Sequence, residues 1–293
     1  MPEAFKRIKS HGTLTKLKDG TPSPAGGHVQ GICASGGCYV LTNSQEDNHK
    51  EGYLQVFHKN DDAPEDVQKH IRTVSTDVSD RGHAGGCQEI GSYMVVGIET
   101  VDPFENGGVW LYSLANLKEQ GPRKLRNLVK GSKGCGGAGI TEFHHDGKTH
   151  WLLAAMDNGD LDFYVSNGKP LEDSGCEFSK SFAARLHDRD DSSTTVNLIT
   201  DVEGHIYLVA FVYRDPEDHL VLYKVDREAR SITRLEDRHM FTEHGDLPSN
   251  AGVHFRWGAG INIRDDKTFD VLATQKRFIT EHSLFAINRF KGS

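Results

Sequence analysis

The chain is poor in cysteine and proline, with five and nine in 293 residues. Cys33, Cys38, Cys87, Cys135 and Cys176 form an odd set without C-x-x-C spacing, which excludes a disulfide framework and a zinc knuckle. No apolar run is long enough to cross a bilayer as a helix, so no membrane partner is expected. The opening residues MPEAFKRIKSHGTLTKLKDG have no apolar stretch of signal-peptide length, and the expectation is a cytoplasmic protein. An excess of positive charge is also missing. The formal net charge is −8, which argues against nucleic acid as a partner. A phosphate loop is absent too: Gly147-Lys148-Thr149 has Glu142 where the leading glycine would stand, and it reads as a hairpin turn. No nucleotide cofactor is expected.

Glycine, by contrast, is abundant, with 31 residues. Part of it falls in a repeat. The pattern H-x-x-G plus an aliphatic residue or cysteine occurs at His28-Val29-Gln30-Gly31-Ile32 and again at His83-Ala84-Gly85-Gly86-Cys87. Weaker copies begin at Gly136, Thr194 and Trp257, and the successive steps are 55, 53, 58 and 63 residues. A near-constant period of this length indicates stacked structural units. Each copy precedes an aromatic and β-branched run, such as Tyr39–Thr42, Tyr93–Val96, Trp151–Ala154, Tyr207–Ala210 and Phe269–Ala273. A third run follows in every unit and a more polar fourth in four of them, for example Ile71–Val74 and Ser231–Leu235. Four antiparallel strands per unit make the blade of a β-propeller.

The sequence therefore predicts one all-β domain over residues 1–293, a five-bladed β-propeller with four antiparallel strands per blade. The blades are placed at about 28–78, 83–131, 136–188, 194–241, and 254–293 joined by 4–17. The last unit lacks a fourth strand, so the N-terminal strand is expected to pair into it and close the ring. Ala4–Lys9 is the segment expected to do so, because basic and apolar residues alternate there. The residues after Trp257 and before His28 together number 63, matching the longest step. In period and strand pattern the chain resembles five-bladed propellers as a class, which includes tachylectin-type lectins and arabinanase-like glycosidases.

In a propeller the first strand of a blade starts at the same mouth of the channel where the second strand ends. This brings His28 and His83 together with Glu99 and Asp157, and with Arg214 from blade four. His254, Arg256 and Trp257 join from the last blade, and Gln30 and Asn197 from the channel wall. Converging polar groups of different kinds suit a small-molecule site. The two histidines occupy a position filled by unlike residues in the other blades, so repetition alone does not require them. His28, His83 and Glu99 are accordingly the candidate catalytic residues. Conditional on their geometry they are also ligands of a divalent metal. Their alternative role is to hydrogen-bond neighbouring blades. Gln30, Asp157, Asn197, Arg214, His254, Arg256 and Trp257 are the candidate substrate-binding residues.

Two carboxylates, Glu99 and Asp157, could act as the pair of a glycosidase. The resemblance to arabinanase-like enzymes implies an aspartate on the first inner strand, where this chain has His28 or Gln30. Asp157 also belongs to the turn signal Asp157-Asn158-Gly159-Asp160. On these grounds the sequence disfavours a glycosidase of the usual two-carboxylate kind. The expected function is binding of a small polar or anionic organic ligand at one mouth. An enzyme of lyase, hydrolase or isomerase type using the channel histidines is preferred to a lectin-like or protein-interaction propeller. The expected assembly is a monomer or weak homo-oligomer.

Overall fold

The computed structural model describes the chain except for residues 24–26, 46–49, 64–65, 102–104, 132, 187–191, 244–251, 265–267 and 281. It is a five-bladed β-propeller. Blade one contains β2 (Val29–Ser35), β3 (Cys38–Asn43), β4 (Tyr53–His58) and β5 (Gln68–Ser75). Blade two contains β6 (His83–Ile90), β7 (Tyr93–Glu99), β8 (Gly108–Ser113) and β9 (Arg123–Lys130). In blade three, β10 (Gly137–His145) is followed by β11 (Lys148–Asp157), β12 (Asp160–Ser166) and β13 (Phe178–Arg185). Blade four runs through β14 (Ser192–Thr200), β15 (Ile206–Arg214), β16 (Glu217–Asp226) and β17 (Ser231–Met240).

Blade five is assembled from both ends of the chain. Its inner strands are β18 (Val253–Ile263), β19 (Phe269–Gln275) and β20 (Phe285–Phe290), and β1 (Thr13–Lys18) supplies the fourth. The pairing of β1 with β20 is antiparallel, from Thr13 opposite Arg289 to Leu17 opposite Phe285. At the outer edge β1 also meets β5 in parallel at Leu17 and Gln68, and at the hub β18 meets β2 at Ala259 and Gly31. Blades one and five are thus bonded at both edges, and no long unpaired strand edge is left at the seam.

The segment expected to close the ring is not a strand. Residues Pro2–Lys6 form a short helix, α1. Proline in its first turn supplies a helical φ without losing a needed N–H, and Glu3 at the start and Lys6 at the end suit the helix dipole. Phe5 and Ile8, three residues apart, are buried between blades four and five. The closing strand lies further along, where Thr15 and Leu17 alternate inward with exposed or half-buried neighbours.

Apolar clusters fill all five blade interfaces. Between blades two and three, for example, Val95, Leu111, Ile140 and Leu153 pack together. The hub glycines have a steric cause. A Cβ on Gly85 would lie 2.1 Å from the Gly136 carbonyl oxygen, and one on Gly260 would lie 2.0 Å from that of Ile32. Adjacent inner strands approach closely enough that only a residue without a side chain fits. Buried amides then staple the hub. Gln88 accepts from the backbone N–H groups of Ile140 and Leu198 and donates to the Leu198 carbonyl.

Candidate functional site

Inner strands of four blades are irregular near one mouth. Register shifts occur between Val29 and Gly31, Ala84 and Cys87, Ser193 and Thr195, and His254 and Ala259. A β-bulge re-aims side chains and interrupts pairing. The repeated sequence pattern is largely the record of these bulges. In β2 the extra residue is Gln30. In β6 the glycines Gly85 and Gly86 occupy the bulge, and the Gly86 N–H reaches the Gly136 carbonyl at 2.8 Å. His83 is left directly opposite Glu99.

Gln30 joins the two histidines. Its Nε2 lies 2.8 Å from His83 Nε2 and also hydrogen-bonds His28 Nε2. An amide NH2 has two hydrogens, so both imidazoles can accept at Nε2 and carry their own hydrogen at Nδ1. The Nδ1 atoms face suitable acceptors: His83 Nδ1 is 2.7 Å from Glu99 Oε1, and His28 Nδ1 is 3.2 Å from Ser44 Oγ. A polar chain therefore runs from Glu99 through His83, Gln30 and His28 to Ser44, across blades two and one.

Glu99 is 4% exposed. Its second oxygen accepts the Cys135 N–H, so the carboxylate is fixed from two sides. Asp157, at the end of β11, comes up beside it. Glu99 Oε2 and Asp157 Oδ1 lie 2.6 and 2.9 Å from one point, the place a Cβ would occupy on Gly134. Only glycine leaves room for both carboxylates there. The Asp157 pKa is raised above its ordinary value, first by burial and then by the charges of Glu99 and Asp160, which outweigh Lys133 and the Gly134 N–H. Asp157 lines a cavity of about 300 Å³ between blades two and three, together with Gly134, Cys135, Asp160 and Tyr164.

Trp257 enters the same mouth from blade five. Its ring lies edge-on to His28, with centroids 6.0 Å apart. Lys276 Nζ and the Arg256 guanidinium lie 4.5 and 4.3 Å from its ring centre. Strand alternation would place Arg256 and Trp257 on opposite sides, but the bulge in β18 permits their stacking. It also means that blade five begins with Val253 opposite Gln275, four residues before Trp257. The buried Trp257 Nε1 and Asn43 Nδ2 have no hydrogen-bond partner among the described residues.

Other candidates lie elsewhere. Asn197 is fully buried in the hub, where it accepts from the Ile261 N–H and donates to the Cys87 carbonyl. Arg214 turns toward outer strand β17, with its guanidinium 2.7 Å from Asp237. His254 is 4% exposed and pairs with Asp218 at 3.0 Å. Asp218 also accepts the Phe255 N–H, so it anchors the start of β18. Sequence reasoning missed Asp218, which sits in a polar hairpin and carries no distinguishing signal. It also missed the Gly134-Cys135 backbone. Among the described residues, the group with metal-ligating atoms within 4.8 Å of one another is Asp201, Glu203 and His205, on blade four.

No family model and no curated protein matches this sequence. Solved structures do match in fold. A xylan β-1,4-xylosidase from Bacillus halodurans C-125 has a TM-score of 0.52 and 11% identity over 90% of this chain and 53% of its own. A GH32 β-fructofuranosidase from Bombyx mori has a TM-score of 0.48 and 11% identity over 98% of this chain and 64% of its own. An α-L-arabinofuranosidase from Lactobacillus brevis gives 0.45 and 10%, with 90% of each chain covered. The chain thus spans just over half of the xylosidase and under two thirds of the fructofuranosidase. At this identity the likeness to the xylosidase is one of fold alone, in keeping with the five-bladed propeller seen here. It also corrects one expectation from the sequence. A glycosidase was disfavoured because of the missing first-blade aspartate and the turn that accounts for Asp157, yet the xylosidase, which shares this fold at a TM-score of 0.52, is a glycosidase by name, so that exclusion does not stand. Among the described residues, no helix is long and apolar enough to cross a membrane.

Proposed function

We propose that the chain is a hydrolase that cleaves a glycosidic bond in a small carbohydrate bound at the bulged mouth of the channel. Support comes chiefly from one observation: Glu99 and Asp157 converge beside Gly134, one held by the Cys135 N–H and the close His83 imidazole and the other with a raised pKa. Glycoside hydrolysis needs two carboxyl groups with such unequal environments. Asp157 keeps its proton to higher pH and lines the cavity, so it is the general acid. Glu99 is the second carboxylate. The two oxygens are too near each other for the separation of about 6.5–9.5 Å that leaves room for an attacking water in an inverting enzyme. Glu99 therefore attacks the anomeric carbon while Asp157 protonates the departing oxygen. Water, deprotonated by Asp157, then releases the sugar.

The histidines serve in this reading as positioning and binding groups. Gln30 holds both imidazoles, and His83 orients Glu99. Trp257 backs Arg256 and Lys276, which lie over its ring and favour an anionic substituent on the sugar. A panel of aryl glycosides, including uronides, tests the assignment. Turnover of at least one member is expected, with retention of anomeric configuration in the product's proton NMR spectrum. Inversion, or no turnover across the panel, contradicts it.

A further inference from the structure

The opposite mouth carries a larger cavity, of about 850 Å³, at the seam where blade five closes onto blade one. Five cations line it: Lys9, Lys59, Arg264, Arg289 and Lys291. They are not gathered by surface chance. The Lys9 N–H donates to the Lys291 carbonyl at 3.0 Å, which sets the backbones of these two exposed lysines side by side. Arg289 is fixed by the fully buried Asp270 at 2.6 Å and by Asp61 at 2.7 Å. Arg264 donates to the Gly292 carbonyl at 2.8 Å. Neither Lys9 nor Lys291 has an ion-pair partner among the described residues. Lys59 pairs with Asp61, and Arg264 lies 3.8 Å from Asp270, so Lys9 and Lys291 are the lining cations whose charge is left to attract an anion into the concave site.

An independent feature points the same way. Thr15 lines this cavity and is 1% exposed, yet its hydroxyl has no hydrogen-bond partner among the described residues. A buried polar group left unsatisfied is costly in a folded protein, and a ligand atom would relieve it. Asn262, together with the carboxyl groups of Asp61 and Glu89, completes a wall able to exchange hydrogen bonds with hydroxyl groups. The volume suits a small metabolite.

We propose that this cavity is a second ligand site, separate from the carboxylate mouth, for a small hydroxylated anion of the sugar-phosphate or sugar-acid class. The anionic group sits between Lys9, Lys291 and Arg264, and the hydroxyls reach Thr15 and Asn262. Because its walls come from both ends of the chain and from blade one, an occupied site favours the closed ring by mass action. Titration calorimetry and thermal melting of the full chain with glucose 6-phosphate, glucuronate and glucose provide the test. One or both anions should bind and raise the melting temperature, whereas glucose should not, and added salt should weaken the binding. Combined Lys9→Ala and Lys291→Ala substitutions should weaken binding tenfold or more without lowering the melting temperature of the unliganded protein. Thr15→Val should weaken it less. The proposal fails if neither anion binds at about 10 mM, if glucose binds equally well, or if the double variant binds as the parent does.

Discussion

Gln30 shows how much one side chain can settle. As the bulged residue of β2 it leaves the ladder, and its amide reaches both His28 and His83. Two histidines that look like a metal pair or an acid–base pair in the sequence are thereby drawn into a hydrogen-bonded clamp between blades. The candidate residues were legible where position alone decides, as for His28, His83 and Glu99 at strand ends. They were not legible where direction decides. Asn197 spends its amide inside the hub, and Arg214 turns outward to Asp237. Asp157 illustrates a third case. It does belong to a hairpin turn, and it is also half-buried beside Glu99. A residue can serve both purposes.

Glu89 gives a residue-scale prediction. Burial pushes its pKa up to about 7, so the folded chain holds this proton more tightly than the unfolded chain does. The associated stability is fully present below the ordinary glutamate pKa and is lost as pH rises through about 7. Glu89→Gln should remove the loss. The variant should gain roughly 1–2 kcal/mol over the parent between pH 5 and 8, after allowance for a partly exposed group. Denaturant titrations at the two pH values check this, and equal pH slopes for parent and variant would contradict it.

At the scale of elements, the strands were readable because apolar and β-branched runs are separated by regular turns. The bulges were not, since an extra residue changes register without changing composition. That is why Trp257 looked like the head of the fifth blade although β18 starts at Val253. The N-terminal helix was hidden for a different reason. Over six residues, Ala4–Lys9 fits both a strand alternation and a helical i, i+3 pair. Tertiary burial of Phe5 and Ile8 against Val253, Phe255 and Phe290 selects the helix. If α1 is a wedge between blades four and five, Phe5→Ala should destabilise the protein by about 3–5 kcal/mol. Glu3→Ala, on its exposed side, should cost a small fraction of that. Chemical denaturation distinguishes the two, and equal small effects would show that the helix is dispensable.

For the whole molecule, the period of the repeat specified five blades and a ring closed through the N-terminal region. The shared fold sets where chemistry can sit without setting which reaction occurs. Here the blades are bonded at the hub by buried amides and at the seam by the β1–β5 and β18–β2 pairings, so the mouth is a rigid frame. Such a frame can hold two carboxylates close together despite their repulsion, which is the condition the proposed reaction requires. In the proposed function Glu99 and Asp157 form one catalytic pair. The most direct test of that pairing is kcat/KM for Glu99→Gln and Asp157→Asn on a glycoside turned over by the parent, with folding confirmed by circular dichroism. Either substitution should lower kcat/KM by about a thousandfold or more, equivalent to about 4 kcal/mol of transition-state stabilisation. The combined variant should lose little beyond the worse single one. If either folded single variant keeps activity within tenfold of the parent, the carboxylate pair is not the catalytic centre.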